Sequence, residues 1–91
     1  MRRGFLAFRD KCMMCHSING EGGKKGVELN YPVNVTEYFD GRWLKQWIAD
    51  PRSVRYSTTM PGLDVEGRDR MIDDIVRYLK TMARHKKAPH D

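Results

Sequence analysis

The run Asp10-Lys11-Cys12-Met13-Met14-Cys15-His16-Ser17-Ile18-Asn19-Gly20 decides how the rest of the chain is read. It holds the only two cysteines, Cys12 and Cys15, with His16 directly after the second. Two thiols three positions apart cannot cross-link distant parts of a fold. They form a local device: a redox pair, half of a zinc site, or the attachment point of a haem. A zinc site takes about four ligands, and the remaining histidines, His85 and His90, lie in a polar C-terminal tail. A redox pair of thioredoxin type sits between a strand and a helix. Here the segment before the pair has helical spacing, and the segment after it, Ser17 to Gly23, reads as loop. The order Cys-x-x-Cys-His is the c-type haem attachment pattern. Thiols at this spacing reach two vinyl groups on one edge of the ring, and the adjacent imidazole is directed at the iron.

The chain around this motif is short and polar: 91 residues, 40% apolar, 32% charged and a net charge of +5. That is one small domain, of a size that commonly needs a staple or a cofactor at its centre. A covalent haem would supply that centre, and the chain without it is expected to be largely unfolded. No apolar run approaches the ~20 residues of a membrane span. The first eight residues are too short and too charged for a secretory signal, so the chain is read as a mature protein or an excised domain. The basic residues fall in separate clusters, Lys24-Lys25, Arg52 with Arg55, and Arg84 to Lys87, with acids between them. Such a pattern serves a solvated surface rather than a nucleic-acid interface, which would show a basic stripe interleaved with aromatics.

Working outward, Gly4, Phe8, Cys12 and Cys15 share one helical face, which predicts a first helix over 3–15. Gly4 costs helix stability, which suggests a close crossing with another helix. Residues 17–35 read as loop, and 36–39 as a short helical turn. Asp40 is an N-cap for a helix over 41–49, where Trp43, Leu44, Trp47 and Ile48 recur at helical spacing. Pro51 closes that helix, and 52–63 read as loop. Asp64 is expected to cap a third main helix running to about Arg84, with Ile72, Ile75, Val76, Leu79, Met82 and Ala83 as its apolar stripe. Asp73, Asp74, Arg77 and Lys80 are expected to face out, Asp73 pairing with Arg77. No strand is expected. The domain reading is 1–86 as the haem domain and 87–91 as a frayed polar tail.

A haem held by His16 has a second face to fill. The available side chains are Met1, Met13, Met14, Met60, Met71, Met82, His85, His90 and lysines. Met13 and Met14 lie inside the attachment turn and cannot reach round the ring. Met82 has the spacing of a core residue. Met60 sits in an irregular loop, followed by Pro61-Gly62-Leu63, where proline stiffens the backbone behind the thioether. Met60 is therefore the expected second axial ligand.

With these residues in view, the chain resembles the class I cytochromes c of the small, bacterial, monohaem kind. The resemblance covers residues 4 to about 83. It rests on Cys12 to His16, on Met60-Pro61-Gly62-Leu63, on Trp43 to Pro51, and on the terminal helices with Gly4 and Phe8 in the first and Tyr78-Leu79 in the last. It implies an all-α fold of about three main helices and long loops around one covalently attached haem c, with the N- and C-terminal helices crossing near the glycine. It also implies that Val27 and Leu29 line the haem and that Trp43, Arg52, Arg55 and Tyr56 are donors for its propionates. One departure stands out. The family often has Gly-Pro after the attachment loop, and that proline's carbonyl accepts a hydrogen bond from the axial histidine. Here the sequence is Gly26-Val27-Glu28-Leu29, so a carbonyl survives at Val27 and the bond is expected to persist, on a less constrained backbone.

An iron held by histidine and methionine has no open position for substrate, so the resemblance implies an electron carrier rather than an enzyme. Haem attachment in this family takes place outside the cytoplasm, which implies a periplasmic or other extracytoplasmic location. An apolar rim of Met13, Met14, Val27, Pro61 and Leu63, with Lys11, Lys24 and Lys25 further out, is expected to meet redox partners with an acidic docking surface. Three other readings stay open: an electron-entry domain of a larger membrane-bound or periplasmic enzyme, a haem sensor or weak peroxidase in which Met60 dissociates, and a thiol-disulfide oxidoreductase.

Overall fold

Gly4 and Tyr78 set the architecture. The computed structural model describes residues 2–88. Its first helix, α1 (Arg2–Lys11), buries only Gly4 and Phe8, four positions apart on one face. That face lies against the last helix, α4 (Arg68–Met82), which buries Ile72, Ile75, Val76, Tyr78 and Leu79. A Cβ built on Gly4 would fall 2.3 Å from the Asp74 carbonyl oxygen and 2.7 Å from the Tyr78 Cβ. Only glycine lets the two backbones approach this closely. Phe8 is fully buried beside Tyr78, with ring centroids 5.5 Å apart, and Phe5 meets the same ring edge-on at 5.9 Å. The crossing expected from Gly4 is therefore present. Asp74 does not face out: its carboxylate is mostly covered and pairs with Arg3 at 3.3 Å. Asp73 pairs with Lys45, on the helix over Gly41–Ala49, at 2.9 Å, rather than with Arg77.

Between them, α2 (Gly41–Ala49) begins where the Asp40 carboxylate accepts the Trp43 N–H at 2.9 Å, as expected of an N-cap. Leu44 carries its buried contact toward α4. Pro51 does more than close α2. It opens a further short helix, α3 (Pro51–Val54), because its locked φ suits a first helical position and it has no N–H to waste there. A 3₁₀ turn over Val35–Glu37 stands one residue earlier than expected, since Asn34 and Glu37 form a reciprocal capping box.

Three further expectations are corrected. The first helix stops at Lys11 rather than reaching residue 15; Cys12 to Cys15 form a tight turn. Asp64 does not cap α4: a turn through Glu66 and Gly67, the latter at φ 75°, delays the start to Arg68, with no side-chain cap. A short antiparallel pair is also present, β1 (Ser17–Ile18) against β2 (Glu21–Gly22). Asn19 and Gly20 join them with φ of 53° and 85°, the backbone of the tight hairpin turn that an Asn-Gly step favours.

The core contains Phe8, Ile18, Leu29, Val35, Leu44, Ile72, Ile75, Val76, Tyr78 and Leu79, with Cys12, Met13, Leu63, Met71 and Met82 packed against it. No helix of the described residues is long and apolar enough to cross a membrane.

Candidate haem site

The attachment turn hangs from the end of α1. The Cys12 N–H donates to the Phe8 carbonyl at 2.8 Å, and the His16 N–H to the Cys12 carbonyl at 2.9 Å. Both thiols are half-buried and free of disulfide bonding. Burial, with a smaller contribution from Cys15, pushes the Cys12 thiol up to about 11, so Cys12 is poorly suited to act as a thiolate nucleophile at neutral pH. Among the described residues, no group of three or more His, Cys, Asp or Glu side chains is arranged to hold a metal ion.

His16 Nδ1 lies 2.9 Å from the Val27 carbonyl oxygen. A carbonyl can only accept, so Nδ1 donates, and the tautomer with this bond has its lone pair on Nε2. The ring lies against Gly26: a Cβ there would fall 2.3 Å from His16 Cε1. The backbone of Gly26 is tied in turn to the attachment turn, its N–H reaching the Cys15 carbonyl at 2.6 Å. Two free thiols in one turn, with an imidazole whose Nδ1 is occupied and whose Nε2 is open, are the donor set that a c-type haem needs. The residues present therefore fit that group.

The loop that supplies Val27 is held by a residue the sequence reading did not single out. The Glu28 carboxylate accepts from Ser17 Oγ at 2.8 Å, Asn19 N at 3.1 Å, Gly20 N at 2.8 Å, Asn30 N at 2.7 Å and Tyr31 N at 2.7 Å. Burial pushes its pKa up, but the hydrogen bonds from Gly20, Tyr31, Asn30 and Ser17 outweigh that and hold it below the usual carboxylate value. Its stabilising contribution is thus fully present above the ordinary glutamate pKa and is lost as pH falls through the depressed one. Beyond it runs a chain of amides. Asn30 Nδ2 donates to Asn19 Oδ1 at 2.8 Å, and Asn34 Nδ2 donates to Asn30 Oδ1 and to the Leu79 carbonyl, both at 2.7 Å. Asn30 and Asn34 are fully buried. The Asn34-x-x-Glu37 box and the Asn19-Gly20 step were the available signals in the sequence.

Asn19 also reaches the end of the chain. Its Nδ2 donates to the His85 carbonyl at 2.8 Å, and its Oδ1 accepts the Lys87 N–H at 3.0 Å. Lys86 pairs with Glu37. Lys87 is therefore anchored rather than frayed. Met1, His90 and residues 89–91 of the expected tail lie outside the described residues.

Met60 is half-buried in the loop after α3. Its N–H donates to Thr58 Oγ1 at 3.2 Å, and the Leu63 N–H donates to the Ile48 carbonyl at 3.1 Å, which ties the segment to α2. A cavity of about 330 Å³ adjoins it, lined by Asp50, Pro51, Arg52, Thr58, Thr59 and Gly62 as well as Met60 and Pro61. Arg52 thus stands near Met60, and Arg55 and Tyr56 are exposed, Tyr56 by 89%. Neither arginine makes an ion pair among the described residues. Trp43 is half-exposed on α2, and Leu29 is buried in the core. Met13 departs from expectation. It packs against the core and lines a separate cavity of about 550 Å³ with Phe5, Tyr78, Met82 and His85, so it does not belong to the exposed rim. Leu63 also packs inward, whereas Met14 is 88% and Val27 62% exposed.

A family model described as Cytochrome c matches residues 1–83. Neither the curated proteins nor the solved structures gave a match.

Proposed function

The chain belongs to the cytochrome c family, whose members carry a covalent c-type haem and transfer electrons, and from that premise we propose a one-electron carrier with its haem attached through Cys12 and Cys15 and ligated by His16 and Met60. When bound, the haem supplies exchange of a single electron between ferrous and ferric iron. The observation that carries the reading is the His16 geometry: Nδ1 held by the Val27 carbonyl, Nε2 left open, and the ring seated against Gly26. The Met60 thioether, a soft donor, would favour the ferrous state and raise the potential. Arg52 and Arg55 have donors to spare for the propionates, with Tyr56 and Trp43 as further contacts. The proposed place of action is the periplasm or another extracytoplasmic compartment.

The test is intact mass together with the reduced visible spectrum. One haem that acidified organic solvent cannot extract is expected. An extractable haem, or two free thiols in protein matured with a haem-attachment system, would overturn the reading.

The partner surface is proposed to be acidic. Lys24 and Lys25 are exposed on the loop that leads to Gly26. Lys11 contributes less, because it is paired with Asp10 at 3.3 Å. Met14, Val27 and Pro61 are exposed and are proposed as the apolar part of this face. Redox encounters of this kind are small, below ~1,200 Å² in total, so charge governs how often they form. Reversing both lysines to glutamate should slow transfer to an acidic partner about tenfold at low salt, with the visible spectrum unchanged and the difference shrinking as salt rises. Rates indifferent to ionic strength and to the reversal would remove the basic rim.

A further inference from the structure

We propose that Glu28 is a positioning residue for His16, acting through the adjacent Val27 carbonyl: its carboxylate fixes the loop that holds the imidazole by Nδ1. The inference rests on the haem reading above.

The backbone at Val27 has no ring to constrain it, and its own N–H donates to no group among the described residues. On one side, Gly26 is tied to the Cys15 carbonyl at 2.6 Å; on the other, Leu29 N–H donates to the Ser17 carbonyl at 2.9 Å. The Glu28 backbone pairs with Ser17 in an isolated parallel bridge as well, and the carbonyl that must face His16 lies between these anchors. The Glu28 side chain fastens the same stretch from both ends. Oε1 takes Ser17 Oγ and Gly20 N, on the hairpin that follows His16. Oε2 takes Asn19 N on that hairpin and Asn30 N and Tyr31 N on the outgoing segment of the loop. The carboxylate therefore bridges the segment just after His16 to the segment just after Val27. Both oxygens accept, a role that only an ionised carboxylate fills completely. An amide in its place turns an NH₂ group toward N–H donors and leaves some of them unpaired. The Asn19–Asn30–Asn34 chain extends the brace to the Leu79 carbonyl on α4, so the loop is referenced to the core rather than only to itself. Orientation of a ligand histidine by the group on its far nitrogen is a general feature of metal centres. What is particular here is that an acidic side chain one residue along steadies that group.

The experiment measures hydrogen exchange of the His16 Nδ1–H in the reduced haem protein by NMR, relative to the amide of Ile75 in α4, which reports global opening. Glu28→Gln should speed His16 exchange about tenfold more than Ile75 exchange. Adding Val27→Pro should return the ratio toward that of the parent, because proline restricts the same backbone without restoring any bond to residue 28. A merely structural Glu28 would speed both protons alike, and that result overturns the proposal. So does a raised ratio that Val27→Pro leaves unchanged. If Glu28→Gln yields no folded holoprotein, Ser17→Ala, which removes one of the donors to Oε1, is read by the same criteria. Absence of covalent haem in the parent's intact mass is failure of the haem reading itself; covalent haem with an unmoved ratio is failure of this inference alone.

Discussion

Met60→Ala is expected to lower the reduction potential by on the order of 0.2 V, part of the ~0.8 V over which axial ligands act, and to abolish the weak near-infrared sulfur-to-iron band of the ferric protein. A thioether stabilises ferrous iron. Alanine cannot ligate, and the position passes to water, an oxygen donor that favours the ferric state. The backbone around residue 60 should survive the change. It is held by the Leu63 N–H on the Ile48 carbonyl and by the Thr58 N–H on the Arg55 carbonyl, neither of which uses the Met60 side chain. Met71 and Met82 provide the control, since both pack against the core. Replacing either with leucine should leave band and potential in place. A Met60→Ala protein with a normal band and potential would assign the ligand elsewhere.

Gly4→Ala should destabilise the protein by about 2 kcal/mol, a fall of about 10 °C in melting temperature for a domain of this size. The sign is the informative part. On an exposed helix the same change gains about 1 kcal/mol from propensity. Here the new Cβ would lie 2.3 Å from a backbone oxygen of α4 and 2.7 Å from the Tyr78 Cβ. Neither atom is the mobile end of a side chain, so relief requires the helices to part. Overpacking of this kind costs about 3 kcal/mol at the upper end of its range, which outweighs the propensity gain. Thermal melting of the holoprotein followed by far-UV circular dichroism measures it. A melting temperature that stays level or rises would mean that α1 and α4 cross less closely than described.

The parts of the fold that were legible share a physical character. Asp40 and the stripe Trp43, Leu44, Trp47 and Ile48 are near neighbours in sequence, and a capped amphipathic helix is written entirely in such neighbours. The misread parts needed partners from elsewhere. The helical face through Cys12 and Cys15 continued on spacing alone. The chain turns there because Gly23 N–H donates to the Met13 carbonyl and Gly26 N–H to the Cys15 carbonyl, bonds from a loop about ten residues away. Asp64 had the chemistry of a cap but not the position, since a left-handed Gly67 redirected the chain first. Met13 had the composition of a rim residue, yet it faces the cleft where α1 passes α4.

From the residues alone came the covalent attachment pattern Cys12-x-x-Cys15-His16, the α2 helix and the need for a close crossing at Gly4. Each of these follows from spacing within a few residues or from a single side chain's steric minimum, and such information is local. Tertiary structure alone decided that Gly26 must stay bare beneath the His16 ring, and that Glu28 and three asparagines brace the loop that carries the Val27 carbonyl. A buried polar group is stable only when its partners are brought to it. Those partners lie at residues 17, 20, 31 and 79, and folding is what sets them side by side.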